Sequence, residues 1–319
     1  MYSTLIKFIR VYNNTVVVVQ LDIIEYYSLR KKTVDEAVLK TLKEENLEDL
    51  ETPKGGKRIR GVLTILVCEA LGGKVEDALP GAVAVELAHA ASLDLDDIID
   101  FDILRRGGLT EWARKGITKA VLGSHELVST SLDIIIKHYG STYVDLIIDT
   151  YRRMLRGELK ELLGGSLYEA VIASKTASLY AVAASLGAVA ARKEEVRNTA
   201  YYYGLNTGMA FQIADDIVDV IKIINDLDLK RLKEPSVLLF IGYLGVETLL
   251  RNPLQFIVHG AKFVADMVKQ IALNKLTDYV KRAEAYASQI PAVSVEYTQL
   301  LQAYPNLSVD LMFKEGGLS

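Results

Sequence analysis

Residues 75–104 read VEDALPGAVAVELAHAASLDLDDIIDFDIL, and this stretch decides the fold. It reads as helix almost throughout, and after Pro80 the chain has no proline until Pro235. Nothing between those two positions carries the strongest helix breaker. A β-sandwich or barrel would need turn punctuation about every 8–12 residues. The chain is therefore expected to be all-α.

Working outward, Lys32–Glu45 reads as an amphipathic helix with Val34, Ala37, Val38 and Leu42 at helical spacing. Pro53-Lys54-Gly55-Gly56 breaks it, and Val62–Leu71 resumes as an apolar helix stopped by Gly72-Gly73. Further helices are expected over Thr118–Tyr139, Val144–Leu163, Leu167–Ala191, Glu194–Val220, Glu247–Val268 and Asn274–Ser288. Within residues 1–31 only Thr15–Val19 has β-branched strand character, and a helical context could override it. No linker, low-complexity segment or short repeat divides the chain, so residues 1–319 are expected to form one domain.

Composition narrows the function. Lys and Arg number 37 against 41 Asp and Glu, a formal charge of −4, which argues against a nucleic-acid partner. The lone Cys68 excludes an intramolecular disulfide and makes a cysteine metal cluster improbable, pointing to a reducing cytoplasm. The longest uncharged apolar run, Thr176–Ala191, is shorter than the roughly 20 residues of a spanning helix, so no transmembrane segment is expected. No signal peptide is read in the amino terminus either, where Asn13 and Asn14 interrupt the apolar residues.

One element occurs twice, Asp96-Asp97-Ile98-Ile99-Asp100 and Asp215-Asp216-Ile217-Val218-Asp219. Residues four apart lie on one helix face, about 40° apart around the axis, so Asp96 points with Asp100 and Asp215 with Asp219. Ala88, Ala90, Ala91 and Leu93 precede the first set, and carboxylates beside such an apolar stripe are costly unless a cation neutralises them. Dense hard oxygen ligands suit Mg²⁺, which keeps waters and bridges carboxylates to phosphate oxygens. A solvated acidic face is the competing reading, weakened by the second copy.

Gly55-Gly56-Lys57-Arg58-Ile59-Arg60 sets glycines beside three cations, and a helix start with Arg forks suits a diphosphate, although a plain basic helix start fits equally. Arg105-Arg106 follows the first acidic set and could meet the same anion or complement a helix C-terminus. His89, seven residues before Asp96, lies roughly 20° from it around the helix, facing the pocket or serving as a core histidine. Gly204, Gly208 and Gln212 form a small or polar stripe leading to Asp215 and Asp219, which close helix packing would also explain.

Together these residues resemble the all-trans prenyl diphosphate synthase family, closest to its medium- and long-chain branch, from about Gly55 to Asp219. The segments are Gly-Gly-Lys-Arg-Ile-Arg at 55–60, Glu86-x-x-His89-x-x-Ser92-Leu93, the first Asp set, Arg105-Arg106-Gly107 with Thr110, Lys175-Thr176, and Ala210–Asp219. The resemblance implies an isoprenoid synthase fold: a bundle of long helices around a central active-site cavity, usually a homodimer. It implies catalysis by Asp96, Asp97, Asp100, Lys175, Gln212 and Asp215, with Asp216 and Asp219 completing the Mg²⁺ carboxylates. Arg105, Lys175, Thr176 and Gln212 would contact an allylic diphosphate; Lys57, Arg60, His89 and Arg106 would hold isopentenyl diphosphate. Three other readings stand beside this one: a geranylgeranyl (C20) diphosphate synthase, a class I terpene cyclase, and a non-catalytic subunit of a heteromeric synthase.

The chain departs from the family pattern at several places. Leu95 stands where His usually precedes the first Asp pair, Gly61 where Pro follows the basic motif, Ser124-His125 where Gly-Asp is usual, and Gly157-Glu158 where Gly-Gln is usual. The Gly-Lys loop after Asp219 is missing, with Asp228-Leu229 and Lys233 as possible remnants and Lys222 as a candidate replacement or a salt-bridge partner of Asp219 or Asp226. By the resemblance, residues upstream of the first Asp set floor the tail tunnel. Here they are Ala91, Ser92, Ala88 and Val85, none bulky enough to block. The eleven residues back to Val85 span roughly 16 Å, so a product beyond C15, about C25–C30, is expected, and Ala91→Phe should shorten it.

Overall fold

The computed structural model describes residues 7–12, 15–20, 22–164, 167–226, 235–251 and 260–317. Helices account for nearly all of them, as expected from the proline-free interval. Thr15–Gln20 (β2) is a strand after all, paired antiparallel with Lys7–Tyr12 (β1) in the register Tyr12↔Thr15 to Lys7↔Gln20. Its β-branched run therefore keeps its local preference, because a neighbouring strand supplies the partner.

Helix α1 (Ile23–Glu44) starts earlier than the pattern suggested, because Tyr26 and Tyr27 extend its buried face. Helix α2 (Ile59–Ala70) is buried at every position, so no amphipathic stripe marks its start. Helix α3 (Val75–Ile99) contains Pro80, whose ring breaks the ladder. The Tyr139 hydroxyl repairs the gap, accepting from the Gly81 amide at 2.9 Å and donating to the Asp77 carbonyl at 2.7 Å.

Helix α3 ends at Ile99, short of the expected Leu104. Leu104–Arg105 (β3) and Gly108–Leu109 (β4) then form a two-residue hairpin. Arg106 (φ 52°) and Gly107 (φ 78°) are both left-handed, as the tightest such turns require. After α4 (Glu111–Lys115), α5 (Ile117–Tyr139) and α6 (Val144–Leu163) follow close to their expected bounds.

Tyr168–Ile172 (α7), a π-helical turn at Ala173–Ala177 and Ser178–Ala190 (α8) run on as one helix. The 23 residues Tyr168–Ala190 are long and apolar enough to cross a bilayer, unlike the shorter run read from sequence. However, 78% of the apolar window is buried inside the protein, and α8 is buried throughout, as expected of a core helix. Helix α9 (Arg197–Asp226) lies against it. A Cβ at Gly204 would come within 2.3 Å of the Tyr180 carbonyl oxygen, and one at Gly208 within 2.7 Å of the Ala177 Cα. Close helix approach thus accounts for both glycines.

Helix α10 (Pro235–Arg251) starts on proline, the residue best tolerated at that position. Helix α11 (Gly260–Ala287) incorporates the expected Asn274–Ser288 segment, and the middle of the expected Glu247–Val268 helix lies outside the described residues. Helix α12 (Val295–Glu315) was not legible in the sequence, since Pro305 sits inside it. Ser294 caps it by accepting from the Tyr297 amide at 3.4 Å, and Leu300, Leu301, Tyr304 and Leu307 bury its inner face. The Tyr304 hydroxyl donates to the Ile59 carbonyl, which brings the middle of α12 to the start of α2.

Candidate active site

A cavity of about 840 Å³ opens between α2, α3, α6 and α9. Asp96 and Asp100 of α3 and Asp215, Asp216 and Asp219 of α9 all line it. The i,i+4 geometry read from sequence thus sets both acidic faces on one space.

Burial pushes the Asp96 carboxyl up to about 7, with Lys175 opposing and Glu158 and Asp100 adding to the rise. Asp100 rises to about 6 by burial, again against Lys175 and with Glu158 adding. Asp215 also rises to about 6 through burial and the neighbouring Asp219, while Lys57 opposes. These groups accept protons readily because burial outweighs the cations that oppose it.

The middle aspartates behave differently. Asp97 does not line the cavity; it turns to Arg105, whose Nε donates to Oδ1 at 2.7 Å. Its Oδ2 is buried without a partner. Asp216 accepts from the Tyr168 hydroxyl and from Gln212 Nε2 at 3.1 Å.

Among the described residues, no three His, Cys, Asp or Glu side chains converge on a metal by themselves. The two carboxylate sets would suit a hard divalent cation that completes its shell with water and substrate oxygens. A structural cage of zinc type would need four converging ligands.

Lys175 and Thr176 sit in the π-helical turn, the local widening that often marks functional positions. Lys175 Nζ pairs with Glu158 at 2.6 Å and Glu161 at 2.5 Å. Burial alone would lower its pKa, yet Asp96, Glu161 and Glu158 hold it above the ordinary value, so it stays charged. The Thr176 hydroxyl donates to Gln212 Oε1 at 2.7 Å, which frees the Gln212 amide to donate to Asp215 at 3.2 Å. Thr176 and Gln212 therefore join the second acidic set, while the charge of Lys175 acts on the first.

The cationic side is built on the turn before α2. The Tyr27 hydroxyl of α1 donates to the Lys57 carbonyl at 2.5 Å and supports that turn. Gly56 (φ 91°) carries no Cβ, and one placed there would come within 3.0 Å of the Arg106 guanidinium, so the hairpin lays Arg106 directly over the loop.

Arg58 is committed to structure: its Nε pairs with Asp35 at 2.7 Å and an Nη donates to the Pro53 carbonyl at 2.6 Å. Arg60 stacks 4.5 Å from the Tyr180 ring centroid, and its buried Nε has no partner. An unpaired buried donor of this kind fits an incoming anion.

His89 lines the same side. Burial, then the charges of Arg60, Arg106, Arg105 and Arg58, lower its pKa well below the usual value, so it is neutral. Lys57 lies 5.6 Å from the Phe211 ring centroid and pairs with Glu315 near the end of α12. Lys222 also lines the cavity, close enough for its charge to act on Lys57 and Asp215. Asp228, Leu229 and Lys233 lie outside the described residues, as does the side chain of Asp226.

Of the four residues expected to floor the tail tunnel, only Ser92 lines the cavity. Val85, Ala88 and Ala91 are wholly buried. Sequence reading missed Tyr168, Glu161, Tyr151 and Glu315 in the wall, since none belongs to a motif, and gave Phe211 no role although it stands inside the Ala210–Asp219 segment. Glu158 had a signal, its place in the Gly-Gln position. Gly61 also departs for a reason: its amide donates to Glu86 Oε1 at 2.8 Å, a bond a proline there could not make.

These protonation states give an expected pH response. A carboxyl whose folded pKa is raised binds its proton more tightly in the folded state, so its contribution to stability falls as pH rises through that pKa. For Asp94 and Asp96, both near 7, the loss runs up to about pH 8. His89, being depressed, acts with the opposite sign but only below its ordinary value near 6.5. The ligand-free protein should therefore melt higher at pH 6.5 than at pH 8. Magnesium with inorganic diphosphate should raise the melting temperature more at pH 8. Thermal melts at the two pH values check this, and equal melting temperatures would contradict it.

A family model described as polyprenyl synthetase matches residues 42–228. Hexaprenyl pyrophosphate synthase of Saccharolobus solfataricus is 34% identical over 204 residues, covering 62% of this chain and 73% of that protein. Geranylfarnesyl diphosphate synthase of Methanosarcina mazei is 29% identical over 240 residues, covering 71% and 81% respectively. The solved structure of a geranylgeranyl pyrophosphate synthetase from the archaeon Geoglobus acetivorans superposes with a TM-score of 0.74 at 24% identity, covering 90% of this chain and all of that one. The fold is thus the isoprenoid synthase bundle.

Proposed function

The chain belongs to the polyprenyl synthetase family, and from that premise we propose that it is a Mg²⁺-dependent all-trans prenyl diphosphate synthase. It joins isopentenyl diphosphate head-to-tail to an allylic diphosphate, giving a product longer than C15, about C25–C30. The observation that carries this reading is that one cavity is lined both by Asp96, Asp100, Asp215 and Asp219 with Lys175 and by Lys57, Arg60 and Arg106. Two diphosphates need such an arrangement, because a single anion site would leave one cationic or acidic set unused. The names of the relatives, hexaprenyl and geranylfarnesyl diphosphate synthase, support the chain length.

Asp96, Asp100, Asp215 and Asp219 would hold the magnesium, with Asp97 and Asp216 adjusting behind them. Magnesium, when bound, supplies positive charge to the departing diphosphate. Lys175 and Arg105 orient that diphosphate as the allylic C–O bond breaks. Thr176 and Gln212 set oxygen dipoles beside the allylic cation in a pocket walled by Phe211 and Ile172. Lys57, Arg60 and Arg106 position the isopentenyl diphosphate so that its double bond attacks the cation and forms the new C–C bond. The proton then lost goes to the released diphosphate. Neutral His89 offers a hydrogen bond there without adding to the crowded positive charge.

A homodimer fits an unpartnered face. Leu159, Leu162 and Leu163 recur at i, i+3 and i+4 on α6, and all three are exposed. Light scattering should give twice the chain mass.

The deciding experiment incubates the purified chain with Mg²⁺, isopentenyl diphosphate and allylic primers of increasing length, and resolves the products by mass. Elongated diphosphates longer than C15 are expected. A cyclic hydrocarbon would make it a cyclase, and turnover only with an added homologue would make it a subunit.

A further inference from the structure

The loop that carries the cationic side is held from behind by a carboxyl that the reaction leaves unused; this inference rests on the isopentenyl diphosphate site proposed above. The loop spans residues 51–58, and its Thr52, Gly55, Gly56 and Lys57 line the cavity. Two carboxyls, each only 1% exposed, accept hydrogen bonds from its first two residues. Glu111 of α4 accepts from the Glu51 amide at 3.2 Å, and Asp94 of α3 accepts from the Thr52 hydroxyl.

The two carboxyls differ in what else they touch. Glu111 also pairs with Arg114 at 3.2 Å and Lys115 at 2.9 Å, so its charge is met. Asp94 gives Oδ1 to Thr52, while its Oδ2 is buried with no partner. A carboxyl buried in this way weakens the fold, so packing alone does not explain it.

What Asp94 supplies is position. It stands two residues before Asp96, about 200° around α3, and does not line the cavity, whereas Leu93 and Leu95 beside it do. Its bond to Thr52 ties the cationic loop to the helix that bears the first acidic set. Beyond Thr52 the loop is stapled to itself and to its neighbours. The Lys54 amide donates to the Glu51 carbonyl at 2.8 Å, Arg58 Nη2 to the Pro53 carbonyl at 2.6 Å, and Arg106 Nη1 to the Lys54 carbonyl at 3.5 Å. A shift at Thr52 is therefore passed along the loop to Lys57.

We propose that Asp94 is a positioning residue: through Thr52 it sets the place of the isopentenyl diphosphate loop relative to the acidic face of α3. The attacking double bond is thereby placed against the allylic carbon.

The test reads binding without turnover. Isopentenyl diphosphate alone, and farnesyl thiolodiphosphate with Mg²⁺, are titrated calorimetrically into wild type, Asp94→Ala, Thr52→Val, Asp94→Asn and Thr52→Ser. Melts and elongation kinetics are measured on the same proteins. Asp94→Ala and Thr52→Val should weaken isopentenyl diphosphate about tenfold and raise its KM to match, the scale of one hydrogen bond to a charged group. Affinity for the farnesyl analogue should stay at the wild-type level. Asp94→Asn keeps an acceptor and Thr52→Ser keeps the hydroxyl, so both should bind isopentenyl diphosphate nearly as wild type does. The double variant Asp94→Ala/Thr52→Val should be no weaker than either single one, since both remove the same bond.

Equal weakening of both ligands would reduce the pair to support of the fold and overturn the proposal. Thr52→Val removes only a hydroxyl from a half-buried side chain, so it decides the matter even where Asp94→Ala fails to fold. A wild type that elongates no allylic primer overturns the proposed activity. One that elongates, while Thr52→Val keeps the wild-type affinity and KM for isopentenyl diphosphate, overturns the role of Asp94.

Discussion

Asp96→Ala is expected to lower turnover by about 10² to 10³-fold, the scale on which removal of one preorganised charge-stabilising group acts. Asp96 and Asp100 form a face that burial has left short of countercharge, and Lys175 is their nearest cation. The same burial makes the loss separable from misfolding. A carboxyl raised to about 7 by desolvation is a burden on the ligand-free fold at pH 8, so alanine there should leave its melting temperature unchanged or higher. Steady-state kinetics together with a melt decide the matter. Near-full turnover would remove Asp96 from the metal-binding set, whereas a lower melting temperature would indicate that the side chain supports the fold.

Ala91→Phe is expected to cost about 3 kcal/mol of stability, roughly 5–10 °C in Tm, before any change in product length can be read. From the sequence this substitution looked like a plug in an open tunnel. In the folded chain Ala91 is wholly buried and its carbonyl accepts from Ser124, so a phenyl ring would have to force α3 and α5 apart. A normal melt with a shortened product would restore the tunnel to α3.

The contrast between these two positions shows what the sequence could reveal. Asp96 and Asp100 were legible because a helix of known period fixes their relative direction, and a second copy made the pattern specific. Lys57, Arg60 and Lys175 were legible as cavity residues through short motifs. Ala91 was readable as small but not as facing α5 or the cavity, since that depends on a helix more than 25 residues away in the chain. Two departures had the same cause. Pro305 hid α12 because only burial of Leu300, Leu301 and Tyr304 holds a helix through a proline. The end of α3 was overrun because the pattern of Ile98 and Ile99 continues into Ile103 and Leu104, which turn out to be exposed on a hairpin.

The pairing of Lys57 with Glu315 bears on how the pocket meets small ions. The end of α12 supplies this site with its own counterion, so the cationic half is partly neutralised before any substrate arrives. An incoming diphosphate exchanges one carboxylate for another anion instead of settling on a bare charge. Its affinity should then fall with added salt less steeply than the tally of Lys57, Arg60 and Arg106 would suggest. Stray sulfate or monophosphate, with fewer oxygens to offer, would displace Glu315 poorly. Helix α12 would thereby select among incoming anions by charge.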